Sequence, residues 1–168
     1  WLRLAIALTL STIGGIGMWS VVVALPQVQA EFGVARGAAS LPYTFTTIGF
    51  AIASIFFGRF ADRVGIFPPV VLGASALALG FALASYAPSL NVYVALQGLL
   101  IGAGSSVTFA PLIADTSLWF KKRRGLAVAM VASGNYLAGA IWPPVVAFFI
   151  QVHGWRATYF GIAVFCIL

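Results

Sequence analysis

The stretch VGIFPPVVLGASALALGFALASYAPSLNVYVALQGLLIGAGSSVTFAPLIA, residues 64–114, contains no charged side chain over 51 residues. An α-helix rises about 1.5 Å per residue and the hydrocarbon core of a bilayer is about 30 Å thick, so about 20 apolar residues cross it. A charge at the centre of a membrane helix costs roughly 2.5–3.5 kcal/mol. This stretch therefore predicts two membrane crossings, joined by a short turn at residues 87–91 that contains Pro88.

Charge is equally scarce in the rest of the chain. No Asp, Glu, Lys or Arg occurs between Arg3 and Glu31, between Arg36 and Arg59, or within residues 125–152. Only 7% of the residues are charged and 62% are hydrophobic, whereas an ordinary soluble domain carries about 25% charged residues. The composition therefore indicates an integral membrane protein that crosses the bilayer several times.

Helices are the expected spanning element, because lipid offers the backbone no hydrogen-bond partner and the apolar runs lack the alternation of barrel strands. Pro26 is expected to end the first span, and the pair at residues 68–69 suits the start of the third. The proline pair at residues 143–144 is expected to kink the fifth span. The six predicted spans are 4–25, 39–58, 69–86, 91–114, 125–150 and a sixth that begins near Ala157.

The sixth predicted span stops at Leu168 after about 12 residues, roughly 18 Å of helix, which is too short to cross a bilayer. We therefore interpret residues 1–168 as one all-α domain, a polytopic bundle of six transmembrane helices with a truncated sixth helix. The chain is expected to be a fragment of a longer protein.

The cations are distributed unevenly between the two sides predicted for the loops. One side holds seven of the nine Lys and Arg residues and the other holds Arg36 and Arg156. Cytoplasmic loops carry the excess of Lys and Arg, so the N-terminus is predicted to be cytoplasmic in a cell inner or plasma membrane. The net charge of +6 does not indicate nucleic-acid binding, because four cations form one run beside a span. The seven cations are Arg3, Arg59, Arg63, Lys121, Lys122, Arg123 and Arg124.

Small residues recur at helical spacing in two of the spans. Such stripes let the backbones of neighbouring helices approach closely, so they predict tight packing within the bundle. The stripes consist of Gly98, Gly102, Ser106 and Ala110 in the fourth span, and of Gly49 and Ala53 in the second.

Several classes of function lack the residues that they need. An ATP-driven pump is not expected, because the chain has no phosphate-binding loop of the Gly-x-x-x-x-Gly-Lys-Ser/Thr type. Its one His and one Cys cannot form a metal site, so we expect no metal and no cofactor. One enzyme class stays open, an intramembrane serine protease with Ser105 or Ser133 as nucleophile and His153 as base. A structural six-helix membrane protein is the other alternative.

The connection between spans two and three, residues 58–65, reads GRFADRVG. It resembles the loop Gly-x-x-x-Asp-Arg/Lys-x-Gly-Arg-Arg/Lys of the major facilitator superfamily, although residues 66–67 are Ile-Phe where that family has its final basic pair. The matching positions are Gly58, Asp62, Arg63 and Gly65. The resemblance implies a secondary transporter of twelve helices, of which this chain is the N-terminal half, working by alternating access.

Three further stretches are similar to the monocarboxylate-transporter and oxalate/formate-antiporter branch of that family. They are residues 29–34 (QAEFGV), 119–127 (WFKKRRGLA) and 154–160 (GWRATYF). This similarity implies transport of a small organic anion such as a monocarboxylate or dicarboxylate, and no enzyme activity. Many members of the branch carry a lysine in the first helix, where this chain has Ser20 near the corresponding place.

The resemblance also implies which residues serve the transport cycle. In this family the central cavity is lined mainly by helices one, two, four and five, and a cytoplasmic loop latches the two halves. The implied partners are the lipid bilayer, a small-molecule solute and the C-terminal six-helix half. The cavity candidates are Trp19, Ser20, Tyr43, Gln97, Ser105, Thr108, Asn135 and Trp142; the gating candidates are Gly58, Asp62, Arg63 and Gly65, with Asp115 as the implied partner of Arg63.

Overall fold

The computed structural model describes residues 1–120 and 122–167, and the regular secondary structure of these residues is helical. Lys121, one member of the predicted basic run, lies outside the described residues. The elements are α1 (Leu2–Gly14), α2 (Ile16–Phe32), α3 (Arg36–Ala39), α4 (Leu41–Val64), α5 (Phe67–Ser85), α6 (Leu90–Leu96), a π-helical segment (Gln97–Gly102), α7 (Ala103–Val107), α8 (Ala110–Trp119) and α9 (Arg124–Ile167).

Five helical stretches in the described part of the chain are long and apolar enough to cross a membrane. The all-α membrane bundle expected from the sequence is therefore confirmed, whereas a sixth crossing stays a prediction. The five stretches are Leu2–Phe32, Arg36–Val64, Phe67–Ser85, Leu90–Trp119 and Arg124–Ile167.

The prediction that Pro26 ends the first span was wrong. Pro26 lies inside α2, and the helix continues to Phe32, where Gly33 adopts the left-handed conformation (φ 60°) that commonly terminates helices. Proline removes only one backbone donor, and membrane helices tolerate this because other groups satisfy the freed carbonyl. The signal that ends this helix is therefore Gly33.

The last helical stretch is interrupted at Gly154, where the backbone angles (φ 81°, ψ 161°) are not helical. The proline pair at residues 143–144 lies inside α9, about ten residues before this break. Gly154 separates a long segment that starts at Arg124 from a shorter segment that ends at Ile167. The sixth predicted span corresponds to that shorter segment.

The fourth span is less regular than the sequence predicts. A π-helical segment of 6 residues interrupts it at Gln97–Gly102, and a second interruption at Thr108 and Phe109 separates α7 from α8. π-Helical turns are rare and are found frequently at functional sites.

Two buried clusters show how the helices alternate in direction. Leu4, Leu112 and Ala127 belong to one cluster, against which Ile66 packs. The start of α1, the end of α8, the start of α9 and the turn after α4 therefore share one end of the bundle, which we call the basic end. Val28, Ala87 and Trp155 belong to the other cluster, so the end of α2, the turn after α5 and the break in α9 share the opposite end.

The tight packing predicted from the small-residue stripes is found at three glycines where α4 meets the fourth span. A Cβ at Gly49 would collide with the carbonyl oxygen of Gly98, and a Cβ at Gly102 would collide with that of Thr46. Helix α4 thus packs backbone against backbone on the π-helical segment and α7.

Candidate functional site

The first span is interrupted near its middle by three closely spaced glycines, where α1 ends and α2 begins. The position of a Cβ on Gly14 is occupied by the side chain of Thr108, which lies at the interruption of the fourth span. A Cβ on Gly15 would be 2.5 Å from Ala138 Cβ and 3.3 Å from Asn135 Oδ1. The interrupted parts of the first and fourth spans therefore meet, and Asn135 flanks them from α9.

Two tryptophans connect the first span to α9. Trp142 Nε1 donates a hydrogen bond of 2.7 Å to the Thr12 carbonyl, and Trp19 Nε1 donates one of 3.3 Å to the Asn135 carbonyl. Thr12 is among the last four residues of α1, whose carbonyls have no partner within that helix. The Trp142 indole therefore satisfies a carbonyl that the interruption at Gly15 sets free.

Gln97 is fully enclosed rather than open to a cavity. Its side-chain amide donates to the hydroxyls of Tyr93 (2.9 Å) and Tyr159 (3.1 Å), and its oxygen accepts from Thr46 at 3.3 Å. The two tyrosine hydroxyls are 2.7 Å apart. Gln97, Tyr93 and Tyr159 each have 0% exposure. In this conformation Gln97 joins α4, the fourth span and the segment after Gly154, and it does not present a polar atom to a solute.

Ser20 and Ser105 are also buried. Ser105 Oγ fills the position that a Cβ on Gly17 would take. Together with Ser11, both serines keep a hydroxyl oxygen without a hydrogen-bond partner among residues 1–120 and 122–167. They lie at helix contacts with no opening to the surface.

Tyr43 lies at the other extreme, on an exposed face of α4. It is 42% exposed, and Thr44 and Thr47, which are exposed beside it, bond to backbone carbonyls four residues earlier in the chain. The eight cavity candidates are thus divided. The interruption of the first span is surrounded by Thr108, Asn135, Trp19 and Trp142. Contacts between helices enclose Ser20, Gln97 and Ser105. Tyr43 is exposed on α4, away from both groups.

At the basic end, Asp115 pairs with Arg3. The resemblance had implied Arg63 as its partner instead. Arg3 Nη2 lies 3.0 Å from Asp115 Oδ2, and the Arg3 guanidinium stacks 3.9 Å from the centroid of the Trp119 ring. The start of α1 reaches Asp115 because both lie at this end of the bundle. Asp62 and Arg63 are exposed in the last turn of α4.

At the opposite end, the sequence analysis did not identify the residue that bridges the break in α9. Gln27 donates to the Ile150 carbonyl (3.4 Å) and accepts from the Trp155 backbone N–H (3.1 Å). One carboxamide therefore satisfies a carbonyl before Gly154 and an amide after it. Its position one turn before Glu31 on α2 was the only signal of this role in the sequence.

Glu31 and Arg156 extend this network. Arg156 forms an ion pair with Glu31 at 2.7 Å and donates to the carbonyls of Ser85 and Ala87, each at 2.8 Å. The Trp155 indole also donates to Glu31. The first span, the turn after α5 and the segment after Gly154 are thereby fastened together.

The residues of the protease alternative are not brought together. Ser133 donates to the Met130 carbonyl, Ser105 is buried on Gly17, and His153 is exposed near the opposite end. Ser133 and His153 are 20 residues apart on one helix, a separation of about 30 Å. The geometry gives this alternative no support.

Comparison with known proteins finds similarity to membrane transporters. Residues 7–168 match the family model described as Major Facilitator Superfamily. Monocarboxylate transporter 13 of Bos taurus is 33% identical over 118 residues, which are 70% of this chain and 27% of that protein. Monocarboxylate transporter 11 of Mus musculus is 35% identical over 97 residues, 57% of this chain and 22% of that protein.

A bacterial relative covers more of the chain. The uncharacterized MFS-type transporter YcxA of Bacillus subtilis (strain 168) is 31% identical over 139 residues, which are 80% of this chain and 33% of that protein. The chain therefore spans between about a fifth and a third of the length of these relatives.

Proposed function

Because this chain belongs to the Major Facilitator Superfamily, we propose that it forms the N-terminal six-helix half, residues 1–168, of a twelve-helix secondary transporter. The transporter moves a small organic anion, such as a monocarboxylate or dicarboxylate, by alternating access. The similarity to monocarboxylate transporters supports the substrate class. The meeting of two interrupted spans beside Asn135 is the structural observation that carries the proposal, because discontinuous helices form the solute sites of many transporters.

Asn135 is the leading solute contact on this half. Its backbone carbonyl is taken by Trp19, while its carboxamide makes no hydrogen bond to another residue in the described parts of the chain. The side chain is partly exposed beside Gly15. A carboxamide offers two donors and an acceptor, which suits a carboxylate or a hydroxy acid. Thr108 approaches the same interruption from the fourth span and is the second contact.

The charge of the anion is balanced from the other half of the transporter. The predicted spans of this chain contain no Lys or Arg, and an uncompensated anion in a membrane-embedded site is costly. This half accordingly supplies neutral hydrogen-bonding groups, and the C-terminal half supplies the cation.

The gate lies at the basic end, which faces the cytoplasm with the N-terminus. The concentration of cations at this end supports that orientation. Asp62 and Arg63 are exposed between Gly58 and Gly65, so their charges are available to groups outside this half. The gate between the two halves uses these two charges, whereas Asp115 forms an ion pair with Arg3 at the start of α1.

Uptake of radiolabelled carboxylates by vesicles that contain the complete protein tests this proposal. Asn135→Ala should raise the half-saturating concentration of the solute about tenfold or more, since loss of a hydrogen bond to a charged group costs about 1.5–3 kcal/mol. Tyr136→Phe, the neighbouring polar residue with a 78% exposed side chain, is the control and should transport normally. Wild-type kinetics in Asn135→Ala would count against the site, and absence of any carboxylate uptake would count against the substrate class.

A further inference from the structure

The two segments that meet at Gly154 form a groove that shares only Trp142 with the cavity candidates gathered around the interruption of the first span. One wall is formed by the α9 segment from Trp142 to His153, the other by the segment from Ala157 to Phe165, and Ile16 forms the floor. The volume is about 380 Å³. Trp142 and Phe165, with ring centroids 5.7 Å apart, close the groove at its inner limit.

The groove extends from the middle of the bundle to its opposite end. His153 lies beside the break at Gly154, where the exposed end of the bundle begins, whereas Trp142 reaches the interruption of the first span. The distance along the helix from Trp142 to His153 is about 16 Å. Half of the hydrocarbon core of a bilayer measures about 15 Å. The groove therefore matches one leaflet in length and runs along the axis of α9.

The groove is too narrow to receive a whole helix between its walls. A volume of about 380 Å³ over about 16 Å of length corresponds to a cross-section of about 24 Å². A helix with its side chains is about 10–12 Å wide and needs several times that area. A thread-like molecule fits between the walls along its whole length.

The chemistry of the walls selects an apolar occupant. The Trp142 indole N–H is bonded to Thr12, and the Thr158 hydroxyl donates to the Gly154 carbonyl at 2.8 Å. These polar atoms are satisfied within the protein, and the imidazole of His153 lies at the exposed entrance, so the inner part of the groove offers water few partners. Apolar cavities of about 150 Å³ stay dry and bind hydrocarbons, and this groove is more than twice as large.

We propose that this groove binds one acyl chain of a membrane phospholipid from the leaflet at the opposite end of the bundle. The chain enters between His153 and Ala157 and its methyl end rests on Trp142 and Phe165. Gly161 makes room for it, because no atom lies within 4 Å of the position of a Cβ at this residue.

Photolabelling with two phosphatidylcholines tests the site and its depth. One lipid carries a diazirine near the methyl end of an acyl chain, and the other carries it near the ester. Each is mixed into vesicles that contain the complete protein, and adducts are mapped by mass spectrometry. The first lipid should label the peptides around Val145 and Phe165, and the second should label those around His153 and Ala157.

Gly161→Leu should reduce labelling of the groove at least fivefold, because the new side chain fills it. Gly37→Leu is the matched control, since its Cβ also meets nothing within 4 Å and it lies outside the groove; labelling should be unchanged. Ala157→Leu blocks the entrance and replaces Gly161→Leu if that variant does not fold. Labelling spread evenly over all exposed faces would overturn the proposal. So would labelling of the groove that is unchanged in both blocking variants. A groove without adducts, because other parts of the protein cover it, would overturn it as well.

Discussion

Trp19 and Trp142 form reciprocal hydrogen bonds between the first span and α9. Each indole donates to a backbone carbonyl of the other helix, and each of those carbonyls lies seven residues before the other tryptophan in the chain. Because the first span and the first part of α9 run parallel, both side chains lean towards the N-terminal ends of their helices, the direction that helical side chains favour. The two bonds fix the spacing of the helices on both sides of the interruption at Gly15.

The two bonds should contribute unequally to stability. Trp142→Phe keeps a ring in place but leaves the Thr12 carbonyl unsatisfied, and side-chain hydrogen bonds between membrane helices contribute about 0.6 kcal/mol on average, up to about 1.7. The Trp142 bond of 2.7 Å should lie near the upper limit and the 3.3 Å bond of Trp19 near or below the mean. Reversible unfolding of both single variants in detergent measures this. An equal or larger loss in Trp19→Phe would contradict the unequal roles.

Gly49→Ala should disrupt the packing of α4. The added methyl would fall on the Gly98 carbonyl oxygen, a backbone atom that cannot rotate away, and forced overpacking typically costs about 1–3 kcal/mol or more. Gly58→Ala, in the same helix, meets nothing within 4 Å and should be neutral or slightly stabilising. Melting of the two purified variants provides the comparison. Equal melting temperatures would show that α4 can move away from the π-helical segment.

The sequence was sufficient to predict an all-α membrane bundle, because the absence of charge over about 20 residues is a local property that lipid selects directly. The sequence alone does not determine how each helix is rotated about its own axis within the bundle. Gln97 was an attractive cavity candidate as a polar residue in an apolar span, yet Tyr93 and Tyr159 enclose it, and Tyr159 lies 62 positions away. Helical periodicity shows which residues share a face, but the helix that covers this face depends on the assembled bundle.

Charge partners could not be predicted for a similar reason. Asp115 was assigned to Arg63 by the resemblance, and the structure pairs it with Arg3, a residue 112 positions away. Both arginines belong to the same end of the bundle, so topology alone leaves the choice open. The small-residue stripes were a better guide to tight packing, because Gly49 and Gly98, one from each stripe, meet in the structure.

Gln27→Ala should loosen the junction at Gly154. The substitution removes the partners of the Ile150 carbonyl and the Trp155 amide, and a backbone group left unsatisfied in a buried position costs about 1–3 kcal/mol. Hydrogen exchange at Trp155 and the amides after it should accelerate, while exchange in α4 stays unchanged. Gln29→Ala, two residues further along the same helix, is the control. Unchanged exchange after Gly154 would mean that Glu31 and Arg156 hold the junction without Gln27.

Asp62→Asn should slow transport without preventing insertion into the membrane. The substitution keeps the shape of the side chain and removes the charge with which the proposed gate meets the other half. A hydrogen bond to a charged group contributes about 1.5–3 kcal/mol, so its loss should change the gating equilibrium, and with it the uptake rate, about tenfold or more. Initial uptake per protein in the membrane, quantified by immunoblot, is the measurement.

Asp115→Asn provides the matched control for the gate, since it removes the same charge at the same end of the bundle. Its ion pair with Arg3 is partly exposed, with side-chain exposures of 47% for Arg3 and 21% for Asp115, and such pairs contribute at most about 1 kcal/mol. Its uptake rate should therefore stay within a few-fold of wild type. A wild-type rate in Asp62→Asn would remove Asp62 from the gate. Equal losses in both variants would instead indicate that transport depends on the total charge of the basic end, because the two positions share only that property.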